Sequence, residues 1–89
     1  MFNENSFAIN CYPNPFNGST TIELKVQKDE SVRVVIFNMS GNVVADLQEG
    51  ELSQGIYDFR FDATQLPTGM YFGKVIVGNE SHTLKLIAK

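Results

Sequence analysis

The 89 residues predict an all-β antiparallel sandwich. Three observations carry this reading. Apolar and polar residues alternate with period two along most of the chain, and almost nowhere does the i, i+3, i+4 spacing of an amphipathic helix replace it. Turn-forming residues recur between the alternating runs at intervals that suit short strands. Seven Phe and three Tyr, with many Val, Ile and Leu, supply the large side chains that a single small core needs.

Residues 7–11 read as a first strand, which runs into Tyr12-Pro13-Asn14-Pro15-Phe16. Pro13 and Pro15 each lock φ and lack an N–H, and each biases the residue before it towards extended geometry. This stretch is therefore neither helix nor inner ladder. Asn17-Gly18-Ser19 is a turn. Residues 20–26 then alternate, with Ile22, Leu24 and Val26 inward and Thr21, Glu23 and Lys25 outward. Lys28-Asp29-Glu30 turns the chain into residues 32–37, and Ser40-Gly41 leads on to residues 42–49 as a hairpin.

Residues 50–55 are too long for a tight hairpin and suit a crossing between sheets. Residues 57–62 set Tyr57, Phe59 and Phe61 on one face, expected to be core, against Asp58, Arg60 and Asp62 on the other. Residues 63–68 form a second irregular connection. Residues 69–77 and 80–88 are strands joined by Gly78-Asn79, a pair suited to a two-residue hairpin turn. Seven short strands with hairpins and crossings close as an immunoglobulin-like Greek-key β-sandwich over residues 7–89. With no Trp and a single Cys, the chain lacks the disulfide framework of a true immunoglobulin domain. Residues 1–6 read as the remnant of a linker from a preceding domain, carrying neither the basic start nor the apolar run of a signal peptide.

Composition narrows the function classes. Seven Lys and Arg against ten Asp and Glu give a net charge of −3 with no basic run, which argues against nucleic acid as a partner. No stretch approaches the ~20 apolar residues of a membrane-spanning helix. Cys11 reads as a small apolar strand residue, and His82, alternating with Leu84 and Leu86, as a structural histidine facing inward or at a sheet end. Asp46, Glu49, Glu51, Asp58 and Asp62 match no calcium-loop spacing. Ser residues lack the G-x-S-x-G context of a nucleophile elbow. Leu66-Pro67-Thr68-Gly69 falls one residue short of an L-P-x-T-G sortase tag and reads as a strand-opening turn. The expectation is a non-enzyme with no cofactor and no metal site. Carbohydrate binding through Tyr12, Phe16, Tyr71 or Phe72 stays open at this level.

Several motifs taken together go further. YPNPF at residues 12–16, then Ile22 and Leu24, then "VRVVIFNMSGNVV" at 32–44, "LPTGMYF" at 66–72 and a closing "KLI" at 85–87 resemble one family in order and spacing. It is the type A C-terminal sorting domain of the type IX (Por) secretion system, and the resemblance covers residues 9–89. The resemblance implies an export signal with no catalysis of its own. Such a domain would follow an N-terminal cargo domain in the same chain and reach the cell surface or medium through the periplasm. Its implied partners are the outer-membrane translocon, a shuttle protein and a sortase-like peptidase that removes it or anchors the cargo. The implied recognition residues are Tyr12, Pro13, Asn14, Pro15, Phe16, Gly41, Gly69, Tyr71, Lys85, Leu86 and Ile87. Two readings of YPNPF stand: that it shapes the opening of the sandwich as a stiff, blunt edge capped by Tyr12 and Phe16, or that the machinery reads it directly. Immunoglobulin-like modules resembling that of the flagellar hook-cap protein share the P-N-P-F start, so a structural or carbohydrate-binding accessory module is the alternative.

Alternation also leaves apolar residues over. Val35, Phe37, Val44, Met70, Phe72 and Ile76 are expected on the outer face of one sheet, as a docking surface for the shuttle protein or for self-association, or else under terminal segments.

Overall fold

The computed structural model describes residues 7–89; the expected linker, residues 1–6, lies outside the described residues. Among the described residues there are seven strands and no helix: β1 (Phe7–Tyr12), β2 (Ser19–Val26), β3 (Glu30–Phe37), β4 (Val43–Leu52), β5 (Gly55–Asp62), β6 (Gly69–Val77) and β7 (Glu80–Ala88). They form a three-stranded sheet in the order β1-β2-β5 and a four-stranded sheet in the order β4-β3-β6-β7. Every ladder is antiparallel.

Three hairpins stay within a sheet (β1–β2, β3–β4, β6–β7), and three connections change sheet (β2–β3, β4–β5, β5–β6). The sequence shows two of those crossings. The third, through residues 27–29, looks like an ordinary turn because a crossing this short needs no extra residues. Since β2 pairs with β5 while β3 pairs with β6, the two sheets interlock in the Greek-key arrangement of immunoglobulin-like sandwiches. The β4–β5 crossing is only Ser53-Gln54, because β4 continues through Gly50 to Leu52.

Alternation places the core. Ile22, Leu24 and Val26 face Val32, Val34, Ile36, Val75, Val77 and Leu86 across the two sheets, all essentially inaccessible to solvent. Each such side chain contributes about 1.5–3 kcal/mol by leaving water. β4 departs from the pattern: its register against β3 slips between Val34 and Val35 and again between Ile36 and Phe37. These bulges let Val44 and Ala45 both pack against the core, so Val44 is not on the outer face where strict alternation puts it. Val43 takes the outward position, cross-strand from Phe37.

β5 corrects a second expectation. Its aromatics do share the inward face, but burial is graded: Phe61 is 1% exposed, whereas Tyr57 and Phe59 are half-buried and stacked on each other at 6.4 Å. β5 is an edge strand paired only with β2, and of its three aromatics Phe61 alone packs against the rings of Phe16 and Tyr71. Phe61 is therefore the anchor. Phe61→Ala is expected to destabilise by about 3–5 kcal/mol, the upper range for aromatic truncation, and Phe59→Ala by clearly less. Chemical denaturation of both variants checks this; equal losses would show that exposure does not grade the strand.

Candidate functional site

The topology brings chain-distant motifs to one end of the sandwich. Residues 13–18 (between β1 and β2), 38–42 (between β3 and β4), 63–68 (between β5 and β6) and the end of β7 all lie at one pole. The other pole holds residues 27–29, 53–54 and 78–79 and the start of β1 at Phe7. All eleven implied recognition residues fall at or near the first pole.

YPNPF is built into that pole by β7. The Tyr12–Pro13 and Asn14–Pro15 peptide bonds are both cis. Asn14 lies across the edge of β7: its Nδ2 donates to the Lys85 carbonyl at 2.7 Å, and its Oδ1 accepts from the Ile87 amide at 3.0 Å. Phe16 continues the same edge as a one-residue parallel bridge to Ala88. Its amide donates to the Ile87 carbonyl at 2.9 Å, and its carbonyl accepts from the Lys89 amide at 2.8 Å. Four groups of an edge strand are thus satisfied by one side chain and one residue of backbone. The motif does not merely leave a blunt edge: it covers the end of the β7 edge. Thr20, 2% exposed, ties down the near side by donating to the Pro13 carbonyl at 2.7 Å, with the Cys11 sulfur 3.4 Å from its hydroxyl.

Phe16 is 1% exposed and sits edge-on to Phe61, with ring centroids 6.0 Å apart; Phe61 in turn sits edge-on to Tyr71 at 5.7 Å. This chain of rings joins the first motif to the third through the core, each contact adding about 0.5–1.5 kcal/mol beyond burial. The Tyr71 hydroxyl donates to the Pro67 carbonyl, four residues upstream, as in the tyrosine corner of immunoglobulin-like domains. Tyr57 does the same to the Ser53 carbonyl at 2.7 Å after the other short crossing.

The two glycines of the motifs have a backbone role. Gly41 and Gly69 have φ of 87° and 141°, where a side chain is strained even though open space surrounds both positions. Gly41 closes a loop in which the Asn38 carboxamide oxygen accepts from the Ser40 and Asn42 amides at 2.9 and 3.0 Å. Between this loop and the β5–β6 connection lies an open groove of about 320 Å³, lined by Met39, Val44, Leu66, Pro67, Met70 and Tyr71 among others.

The residues expected to be recognised thus divide in two. Phe16, Tyr71 and Leu86 are buried and hold the pole together. Tyr12, Pro13, Asn14, Pro15, Gly41, Gly69, Lys85 and Ile87 are exposed on it. Tyr12 is 48% exposed and does not cap the core; Glu23 foremost, then lost hydration and Asp58, raise its phenol above the ordinary value. Of the four aromatics of the carbohydrate reading, Phe16 and Tyr71 are buried and Phe72 half-buried, which leaves Tyr12 as the exposed one. His82 lies at an exposed position towards the far end of β7. Among the described residues no group of three or more His, Cys, Asp or Glu side chains is placed to hold a metal ion.

What sequence reasoning missed is the contact of Asn14 with β7. An asparagine between two prolines announces a turn, but nothing local says which strand it will face. The tyrosine corner was findable, because Pro67 stands four residues before Tyr71.

Three variants probe the pole. Phe16→Ala is expected to cost about 3–5 kcal/mol. Asn14→Ala, which removes two hydrogen bonds at an exposed edge, should cost about 1–2 kcal/mol and speed hydrogen exchange at the Ile87 amide selectively. The Asp62 carboxyl is held below the ordinary carboxylate range by the Thr64 amide, then by the Thr64 hydroxyl. A lowered folded-state value means that this stabilisation is present above the unfolded-state pKa and is lost as pH falls through the folded one. Asp62→Asn should therefore flatten the acid limb of the stability profile; an unchanged limb would assign it to other carboxylates.

Comparison with known proteins gives one family. A family model described as secretion system C-terminal sorting domain matches residues 10–89. None of the curated proteins compared with the chain matches it. The matched span starts two residues before YPNPF and runs to the end of the sandwich, taking in all four motif segments of the pole. The chain belongs to the family of type IX secretion C-terminal sorting domains.

Proposed function

We infer from family membership that this chain is a sorting signal carried on a cargo chain and exported by the type IX machinery across the outer membrane, to the cell surface or the medium. The family is not catalytic.

We propose that the export machinery reads this domain at the motif pole while cargo is joined at the other. The observation that carries the reading is the gathering of YPNPF, Ser40-Gly41, Leu66-Pro67-Thr68-Gly69 and the end of β7 at one pole, with Phe7 at the opposite one. Six extended residues at about 3.3 Å each separate Phe7 from that pole along β1. A cargo domain preceding Phe7 thus leaves the motif surface open. The exposed members Tyr12, Asn14, Lys85 and Ile87 make direct contact with the translocon, and the buried members keep them in place. The shuttle protein takes the outer face of β4-β3-β6-β7, where Phe37 pairs with Phe72, Met70 with Ile87, and Val43 is 53% exposed. A sortase-like peptidase then cuts before the sandwich, releasing the cargo or anchoring it at the surface.

The test is a fluorescent reporter with a Sec signal, fused ahead of this chain in a type IX-competent host. Tyr12→Ser, Lys85→Glu and Ile87→Ser combined should leave the reporter in the periplasm with the sandwich still folded, as judged by resistance to protease. Phe37→Ser with Phe72→Ser tests the outer face in the same way. A comparable set at the other pole, Lys28→Glu with Asn79→Ser, should be secreted normally. Normal secretion of the folded motif-pole variant would overturn the reading.

A further inference from the structure

An antiparallel sandwich has four edge strands, and here they differ in how they are protected. β4 carries two bulges and the charges Asp46, Glu49 and Glu51. β5 carries Asp58, Arg60 and Asp62 at alternate positions and packs at the corner against β4. β7 carries Glu80 and Lys85, and Asn14 and Phe16 occupy its last turn of edge. Each device is one that sheet proteins use to refuse a further strand.

β1 has none of them. Phe7–Tyr12 contains no charged residue, no proline and no glycine, and its register against β2 is unbroken over all six residues. Its other edge pairs with no strand among the described residues. The three-stranded sheet is also one strand narrower than the sheet it faces, which leaves Ile9 and Cys11 of β1 half-buried.

We propose that this edge pairs with the β1 strand of a second copy of the chain, antiparallel about a two-fold axis at Asn10. Opposed residues must share a sheet face, so the register runs in steps of two, and centring it on Asn10 gives complementary pairs. Ile9 faces the second copy's Cys11 on the core side; small Ala8 faces large, 48% exposed Tyr12 on the outer side. Asn10 meets its own counterpart, and a carboxamide both donates and accepts. Because the strand is uncharged, self-pairing brings no like charges into opposition. The product is a six-stranded sheet in the order β5-β2-β1-β1-β2-β5. Its ends are the charged β5 edges, so association stops at two copies. One six-residue strand buries far less than the about 800 Å² per partner of a stable complex, so the dimer is weak and concentration-dependent.

The experiment uses the 89-residue chain. Sedimentation velocity over a concentration series should show a mass rising towards twice the monomer and no further. Asn10→Lys, an exposed position, should keep the fold and abolish the rise by setting two ammonium groups opposite each other. Mixing Asn10→Lys with Asn10→Asp should restore it. With Cys11→Ser as background, Asn10→Cys should give a covalent dimer on mild oxidation, whereas Asp58→Cys, on the same face but two strands away, should not. A chain that stays monomeric and traps no Asn10→Cys dimer overturns the proposal. So does self-association that persists unchanged in Asn10→Lys, which would place the contact elsewhere, on the outer face of the larger sheet or through strand exchange.

Discussion

The contact between Asn14, Phe16 and the edge of β7 is the constraint on which the motif pole depends. It joins the first hairpin loop to the last strand, across 71 and 73 positions of sequence for the two Asn14 hydrogen bonds. Asn14 supplies one donor and one acceptor to β7, and Phe16 does the same through its backbone. The four bonds sit at an exposed edge and are individually worth about 0.5–1.5 kcal/mol. What makes them decisive is that Phe16 is simultaneously buried against Phe61. Edge pairing holds the loop down, and the ring holds it in; neither alone positions Asn14.

From that contact the rest of the pole follows. Phe16, Phe61 and Tyr71 form a continuous path of rings from the first motif to the third. Tyr71 reaches back to Pro67, so the β5–β6 connection is set by the same core that sets the Asn14 loop. Leu86, fully buried, lies on β7 between the two residues whose backbone Asn14 grips, Lys85 and Ile87. A side chain pointing inward and a backbone gripped from outside together define the last strand. The family's separated motifs are therefore one structure, and the exposed members are presented by the buried ones.

Local patterning made most of the fold legible. The bounds of β6 and β7 follow directly from Gly69, from Gly78-Asn79 and from clean alternation between them. Alternation likewise placed Ile22, Leu24 and Val26 correctly, because a residue's face depends only on its neighbours in the strand. It failed where two residues share a face, at the β4 bulges, and where the question was how much of a face is covered, at Phe59. Coverage depends on the opposite sheet and on whether a strand is at an edge, which no window of sequence contains. The candidate site was legible as a set of motifs and illegible as an arrangement. Nothing in Tyr12-Pro13-Asn14-Pro15-Phe16 indicates β7, although the spacing of the chain in two interlocked sheets makes their meeting at one pole a consequence of topology.

The same physics separates the two polar devices that the domain uses on its edges. At the end of β7 the hydrogen-bonding groups are satisfied internally, by the Asn14 carboxamide and the Phe16 backbone, which copy the peptide pattern of a neighbouring strand. At β4 and β5 they are protected by bulges and charge instead. Internal satisfaction leaves the pole shaped, with the Tyr12 phenol and the Lys85 ammonium exposed on it. Protection by charge leaves a solvated surface with no preferred partner. A recognition surface needs the first kind of edge, because a partner can match a fixed arrangement of groups but gains little from mobile, hydrated carboxylates. On the proposed reading, YPNPF and the end of β7 meet at the internally satisfied edge, as a signal carried by shape requires.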